Sequence, residues 1–402
     1  MTTTFRALRH ANFRRFYGAF IVSLVGVWMH RVALSWLVVD LTGSAFYVGL
    51  ADTLGSLPVL VFSLHAGAIA DRVSKRSMVL VTQTSGMMIG FAFAAIVYSG
   101  HATIELILVV ATLAGVSLAF DIPARQSFLV DLVGKDDLTN AIALNSSAFN
   151  ASRVVGPAIA GVLIGVAGVG ICFLLNAITF IPVIAVLSAM RLPVTTPPAG
   201  GAGAWGNIKE GLRYAGGEPR IRRLLVNIAV MSVFGFSVFV LLPVLVKSEL
   251  GRGADVFGWM MSAVGIGAVV GALAVATFAE RMPKGRMLGW AAMGFGLLVL
   301  VLGFVRSVPW LLVTLTVMGL MLIVTTALTN TLLQAVVPDH LRGRVLALYT
   351  VAFVGMAPFG SLLAGIVADR FGVGVMMALG GIVTVLSSVV TVVVPAAVRE
   401  TA

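Results

Sequence analysis

Long apolar segments separated by short charged loops are the feature that most constrains the fold of this 402-residue chain. Crossing the hydrocarbon core takes about 20 apolar residues per helix, and helices or closed barrels satisfy the backbone in lipid. The runs here are long rather than short and alternating, which favours helices. Hydrophobic residues make up 59% of the chain and charged residues 11%, against about 45–50% and 25% in soluble proteins. The sequence predicts an all-α, polytopic membrane protein.

Twelve transmembrane helices are predicted, six on each side of one long polar segment. The first six spans cover residues 16–39, 46–70, 77–98, 104–120, 140–164 and 169–190. The last six cover 224–246, 256–279, 287–305, 310–336, 345–368 and 375–394. The segment 191–223 is rich in glycine, proline and charge, which is typical of a linker. We therefore expect an N-terminal bundle over 1–190, a cytoplasmic linker over 191–223 and a C-terminal bundle over 224–402.

The distribution of basic residues predicts the orientation of these spans. Twenty-one of the 27 Lys and Arg residues fall on one side, and Lys247, Arg252, Arg306 and Arg370 fall on the other. By the positive-inside rule, the linker and both termini are cytoplasmic. The net charge of +11 therefore reflects membrane topology, so we expect a lipid bilayer as partner and no nucleic acid.

The loop after the second span contains Gly67, Asp71, Arg72, Lys75 and Arg76 in the pattern Gly-x-x-x-Asp-Arg-x-x-Lys-Arg. This pattern resembles the loop between helices 2 and 3 of the major facilitator superfamily, a class of secondary transporters. A degraded copy at 276–286 follows the eighth span, which supports an internal repeat. The resemblance implies the major facilitator fold, with two pseudo-symmetric six-helix halves.

The resemblance also implies a cytoplasmic gate. Asp71 would cap the start of the eleventh span near Arg344, because a helix N-terminus favours an anion. Lys75 or Arg76 would pair with Asp121 at the end of the fourth span, and these contacts would form only when the cytoplasmic side is shut. Anchoring by positive charge alone is the alternative, but Asp71 contributes nothing to anchoring, so a gate is favoured.

Further motifs narrow the resemblance. Gly156, Pro157 and Gly161 form a stretch similar to the Gly-Pro motif of drug–proton antiporters, and proline is expected to bend the fifth span there. Residues 28–38, 120–128 and 140–150 resemble the branch that contains enterobactin exporters and macrolide-efflux proteins. The resemblance implies proton-driven export of a partly apolar organic molecule from the bacterial cytoplasmic (inner) membrane.

Residues that can carry charge inside the membrane are few. There is no phosphate-binding loop and no cluster of metal ligands in the sequence, so we expect neither an enzyme nor a metal or cofactor. Asp52 is the carboxylate predicted deepest in a span, with Arg31 at similar depth and His30 beside it. This trio is the candidate for proton coupling; a fixed Asp52–Arg31 ion pair that only holds the fold is the alternative. Arg153, near the middle of the fifth span, would give the cavity a positive charge or bind backbone carbonyls.

Polar and aromatic residues of the spans are the candidates for substrate binding. The predicted set is Trp28, Asn145, Phe149, Asn227, Thr329, Asn330, Tyr349 and Phe353. The second half has no charge in mid-span, which favours a neutral, apolar substrate surface there. We therefore expect a monomeric antiporter that exports small organic molecules such as drugs in exchange for protons. A siderophore or lipid-like metabolite exporter, and a non-transporting sensor on the same fold, remain alternatives.

Overall fold

The computed structural model describes residues 3–70, 73–190, 204–278 and 283–393. These residues are almost entirely helical, and no strand occurs among them. Twelve helices are long and apolar enough to cross a membrane, so the predicted all-α fold with twelve spans is confirmed. Their bounds are α1 Ala11–Thr42, α2 Ala45–Ala70, α3 Lys75–Tyr98, α4 Ile104–Val133, α5 Leu138–Ala167, α6 Gly170–Ala189, α7 Pro219–Glu249, α8 Ala254–Phe278, α9 Lys284–Leu302, α10 Val308–Val336, α11 Leu341–Phe371 and α12 Val373–Val393.

Local sequence signals end these helices where the chain must reverse. The hydroxyl groups of Ser74 and Thr103 cap the N-termini of α3 and α4 by accepting hydrogen bonds from backbone N–H groups, as is typical of these residues. Glycines with positive φ follow α1, α3, α4, α5, α7 and α11. Glycine adopts this conformation without a steric penalty, so the chain can turn back sharply into the next span.

The fourth span is longer than predicted. The sequence places its end at Phe120, but α4 continues through Asp121 to Val133. Asp121 does not end the helix because neighbouring polar side chains compensate its charge within the bundle. At about 1.5 Å per residue, 30 residues give about 45 Å, which exceeds the hydrocarbon core of about 30 Å. The last turns of α4 therefore extend beyond the lipid.

The chain divides into two compact units. The first unit comprises Met1–Thr42, Leu54–Gly200 and Gly253–Gly258. In this unit α1 packs against α5 and α6, and α3 packs against α4 and α6. Stacked and edge-on phenylalanine rings at Phe16, Phe20 and Phe128 form part of its core, with centroids 5.5 Å apart.

Within the first unit a short 3₁₀ helix, Thr3–Arg9, precedes α1 and packs against α5. The carboxylate of Asp137, which is 1% exposed, lies 2.8 Å from Arg6 Nε, 2.8 Å from Arg9 Nη2 and 2.7 Å from His10 Nε2. The backbone N–H of Ala7 donates to Asn140 Oδ1 at 2.9 Å. These contacts attach the N-terminal segment to the start of α5.

The second unit comprises Gly43–Thr53, Gly201–Arg252 and Trp259–Ala402. In this unit α9 packs against α10 and α12, and α11 packs against α7 and α12. A linker helix, Ala204–Gly217, contacts the start of α11. The segment Gly43–Thr53, which the sequence-based boundaries assign to the N-terminal bundle, packs here with α11.

Candidate transport site

Asp52 lies at a contact between α2 and α11 in the second unit. Its half-buried carboxylate accepts a hydrogen bond from the hydroxyl of Ser361, with 2.6 Å between Oγ and Oδ2. The buried hydroxyl of Thr53 is 2.7 Å from the carbonyl oxygen of Gly49 and 2.9 Å from that of Pro358. A short O–H···O contact to a carboxylate is typical of a charge-assisted hydrogen bond. The first turns of α2 are therefore joined to α11 by a contact that contains a titratable group.

Glycines allow the two helices to come this close. A Cβ added to Gly365 would lie 2.9 Å from the carbonyl oxygen of Ala45 and 3.1 Å from Cα of Phe46, and one added to Gly49 would meet the carbonyl oxygen of Ser361. Small residues promote such close backbone contact between membrane helices. Sequence reasoning missed Ser361; its four-residue spacing from Gly365 on α11 was the available signal.

Two arginines of the first unit lie on one tryptophan. The Cζ atoms of Arg31 and Arg153 are 5.5 Å and 5.7 Å from the centroid of the Trp28 ring. The ring of Phe149 meets Trp28 edge-on at 5.4 Å. We call these four residues the arginine cluster. The structure thus brings together four of the residues that the sequence singled out for separate roles.

Helical spacing explains how the arginine cluster forms. Phe149, Arg153 and Gly156 fall on one stripe of α5, and Trp28 and Arg31 are three residues apart on α1. A Cβ added to Gly156 would lie 2.6 Å from Cβ of Trp28. The missing side chain of Gly156 therefore lets α1 press its tryptophan against the stripe that carries Arg153.

The charge of the arginine cluster is not balanced within the described chain. The ion pairs formed by those residues include neither Arg31 nor Arg153, and Nε of Arg153 is buried without a hydrogen-bond partner. An arginine in mid-membrane costs about 2.5–3.5 kcal/mol on insertion scales, whereas one cation–π contact contributes about 0.5–2 kcal/mol. Trp28 alone therefore does not offset both charges.

His30 lies in packed core rather than in the arginine cluster. Its ring is 5.0 Å from the rings of Phe93 and Phe173, both edge-on. The side-chain amide of Asn176 donates to Nδ1 of His30 at 3.3 Å. His30 and Arg31 point in different directions because adjacent helical residues are about 100° apart. A coupling role for His30 remains a prediction.

The predicted gate residues are distributed over several contacts. Asp71 and Arg72 lie outside the described residues, and Gly67 is half-buried near the end of α2. Lys75 Nζ is 2.9 Å from Asp131 Oδ1. Arg76 donates to the carbonyl oxygens of residues 187 and 188 at 2.7 and 2.8 Å. Arg76 thus compensates the negative end of α6.

Asp121 has partners that the sequence did not predict. Thr82 Oγ1 and Gln83 Nε2 donate to its Oδ1 at 2.8 and 2.9 Å, and Arg125 Nη2 is 3.3 Å from its Oδ2. In this structure Asp121 does not pair with Lys75 or Arg76, and the pairing expected for a closed cytoplasmic side stays a prediction. The observed contacts follow from the longer α4, which carries Asp131 rather than Asp121 to Lys75 and leaves Asp121 buried. Asp121 is therefore a buried carboxylate within a span, in addition to the half-buried Asp52.

Aromatic candidates in the second unit cluster around a π-helical turn. Tyr349 stacks on Phe353 at 5.9 Å, and Phe353 meets Phe236 edge-on at 5.1 Å. Phe353 lies in the π-helical turn Val351–Gly355 of α11, and Ser232 donates to its carbonyl oxygen at 2.7 Å. Such turns within α-helices are frequent at functional sites. Phe353 is therefore held at an irregular point of α11.

The remaining candidates are satisfied locally. Asn227 is buried and accepts from Ser387 at 3.1 Å, and Thr329 is buried and donates to the carbonyl oxygen of Thr325. Asn330 is half-buried and accepts from Gln334 one turn further along α10. Asn145 is half-buried on α5, Arg344 is half-buried beside Gly211 of the linker helix, and Gly161 packs on Gly258. The predicted roles of these three residues stay predictions. Pro157 lies within α5, which is one continuous helix, and its role as a bend remains a prediction.

Comparison with known proteins decides the family. Residues 2–402 match the family of transmembrane secretion effectors within the major facilitator superfamily. The chain belongs to this family. It is a multi-pass membrane transporter and not an enzyme.

Curated relatives extend over most of the chain. The staphyloferrin A transporter of Staphylococcus aureus is 28% identical over 93% of this chain and 94% of its own. The multidrug efflux pump Tap of Mycolicibacterium fortuitum is 28% identical over 85% of each chain, and the enterobactin exporter EntS of Escherichia coli is 26% identical over 92% and 86%. The solved nucleoside transporter NupG has a TM-score of 0.76 at 12% identity, covering 96% of this chain and 99% of its own, which shows the shared fold.

Proposed function

We propose that this protein exports small organic molecules across the bacterial cytoplasmic membrane in exchange for protons, with Asp52 as the proton carrier. The observation that carries the proposal is the hydrogen bond from Ser361 to Asp52 inside the α2–α11 contact. Two of the relatives, the multidrug efflux pump Tap and the enterobactin exporter EntS, are named for efflux or export, which supports export as the direction.

The chemistry of a carboxyl group links protonation to this contact. When ionised, Asp52 can only accept hydrogen bonds; when protonated, it can also donate one. A proton therefore reverses the possible roles of Asp52 and Ser361 and removes a charge from the membrane interior. Transport requires the two halves of the sequence to move relative to each other, and α2 and α11 come from different halves. Proton binding at Asp52 thus changes the stability of the contact between α2 and α11, and movement of the two halves alters this same contact.

The distribution of Lys and Arg over the loops supports the orientation that we propose. Both termini and the linker face the cytoplasm, the loop after α2 closes the cytoplasmic side, and Pro157 gives α5 a point of bending. The protein works as a monomer. The aromatic residues Tyr349 and Phe353 contact the apolar part of the substrate.

Unbalanced arginines favour a second candidate function. Export of an anionic metabolite, such as a siderophore, can be driven by the inside-negative membrane potential without tight proton coupling. Each negative charge gains about 2.3 kcal/mol per 100 mV on leaving the cell. The arginine cluster is the specific observation that favours this candidate, because it supplies two cations that form no ion pair with a carboxylate of the described residues.

Proton flux through reconstituted protein tests the proposal. Proteoliposomes with an acidic lumen and trapped pyranine are exposed to a panel of anionic, neutral and cationic organic compounds. An exported compound should accelerate collapse of the pH gradient with wild-type protein and with Asp369→Asn, but not with Asp52→Asn. Asp369 is a matched control because it accepts a hydrogen bond from Ser44 at 2.7 Å at the exposed end of the same α2–α11 contact. Equal acceleration with Asp52→Asn would exclude Asp52 as the carrier.

A further inference from the structure

We propose that the arginine cluster binds the negatively charged group of the substrate, so that the transported molecules are organic anions with an aromatic or apolar part. This inference deepens the proposed function and rests on the protein being an exporter. It assigns Arg31 and Arg153 to ligand binding, a role that differs from proton coupling.

The shared tryptophan limits how far apart the two guanidinium groups of the arginine cluster can lie. Because both guanidinium carbons lie within 6 Å of the same ring, they are no more than about 11 Å apart. Arginine offers five N–H donors and no acceptor, and pairs well with carboxylate, sulfonate or phosphate oxygens. Nε of Arg153 is buried without a partner, so it retains a donor that an anion can use.

The surroundings select for an apolar body next to the negative charge. Phe149 is 45% exposed although it contacts Trp28, which is only 8% exposed. An aromatic ligand can stack on the free part of the Phe149 ring while its anionic group reaches the guanidinium groups. A cationic drug would instead meet two positive charges, and like-charge contact of this kind excludes a ligand.

A purely structural role predicts different behaviour. If Arg31 and Arg153 only packed on Trp28, replacing one by glutamine would lower thermal stability without changing ligand selectivity. If they bind an anion, the same change lowers the affinity for anions and leaves neutral analogues unaffected. The two roles are therefore separated by a comparison of ligands that share an aromatic ring and carry groups of different charge.

The test uses naphthalene-1-sulfonate, its neutral sulfonamide, and (1-naphthylmethyl)trimethylammonium. Binding is measured by calorimetry with the full-length protein in nanodiscs of zwitterionic lipid, without any gradient. We expect the sulfonate to bind at least tenfold more tightly than either analogue. Arg31→Gln and Arg153→Gln should each weaken sulfonate binding at least tenfold, whereas Arg153→Lys, which keeps the charge, should weaken it less. Arg14 is an exposed arginine on α1, the helix that carries Arg31. The Arg14→Gln protein should bind the sulfonate as wild type does.

The outcomes separate this inference from the proposed function. Equal binding of the three probes, or unchanged sulfonate binding by Arg153→Gln that remains folded by thermal unfolding, would overturn the anion site. Proton flux in the pyranine assay would then still stand as evidence of export. Adding anionic lipid to the nanodiscs distinguishes the ligand sources: competition with the sulfonate would assign the site to lipid headgroups and overturn its role in substrate binding.

Discussion

Gly365→Ala tests whether close backbone approach maintains the contact at Asp52. The added methyl group would lie 2.9 Å from the carbonyl oxygen of Ala45 and 3.1 Å from Cα of Phe46. Both are backbone atoms, so α2 and α11 must separate by a few tenths of an ångström or more. Overpacking of this kind costs typically about 1–3 kcal/mol, which corresponds to about 5- to 140-fold in the population of the contact. The hydrogen bond from Ser361, now 2.6 Å, should lengthen beyond the usual range of about 2.5–3.0 Å.

Cross-linking measures that population. Cysteines replace Ser44 and Asp369, whose side chains are hydrogen-bonded at 2.7 Å, after the single native cysteine is removed by Cys172→Ala. We expect Gly365→Ala to slow cross-linking at least fivefold. Gly343→Ala is the matched control, since a Cβ there, also on α11, meets nothing within 4 Å. A folded Gly365→Ala protein that cross-links at the wild-type rate would refute the reasoning.

Three further predictions follow from other contacts. The hydrogen bond from His10, together with the charges of Arg6 and Arg9, holds the pKa of Asp137 below its ordinary value of 3.8, although burial opposes this. The ionised carboxylate therefore stabilises the attachment of the N-terminal segment above pH 3.8, and this stabilisation is lost as the pH falls through the lowered pKa. Trypsin should therefore cleave the N-terminal segment of Asp137→Asn faster than that of wild type at pH 7, and equal rates would contradict the role of the carboxylate. With no pH gradient, a lumen-positive potential of 100 mV should accumulate naphthalene-1-sulfonate about 50-fold in proteoliposomes, since each charge gains about 2.3 kcal/mol; no accumulation would exclude potential-driven anion transport. Asp71→Asn should speed the labelling of a cysteine placed at Ser77 by a bulky reagent from the cytoplasmic side, and unchanged labelling with lost transport would argue against the gate.

The fold could be predicted from the sequence because the bilayer imposes it. Apolar runs of about 20 residues have few stable alternatives to transmembrane helices, so the number and type of elements followed directly. The end of α4 could not be predicted from the sequence, because a charged residue such as Asp121 normally indicates a loop. Thr82, Gln83 and Arg125 compensate that charge through tertiary contacts that a linear pattern does not contain.

The individual residues of the candidate site were predicted from the sequence, but the contacts between them were not. Intramembrane charge identified Asp52, Arg31 and Arg153, since such residues are rare and costly. Their partners depend on helix register: Gly156 brings Trp28 onto the stripe of Arg153, and Gly365 brings Ser361 to Asp52. Equal spacing patterns occur elsewhere in the chain, for example at Gly267 and Gly271 of α8, where both glycines lie against Leu320 of α10.

The central claim is that export is coupled to protons through Asp52. The most direct test measures transport driven by a pH gradient and, separately, by a membrane potential. Uptake of naphthalene-1-sulfonate into proteoliposomes is measured with an acidic lumen at zero potential, and then with a positive lumen at equal pH. We expect wild-type protein and Asp369→Asn to respond to both forces. Asp52→Asn should respond to the potential and lose its response to the pH gradient. A pH-driven uptake by Asp52→Asn that equals the wild-type rate would contradict the account.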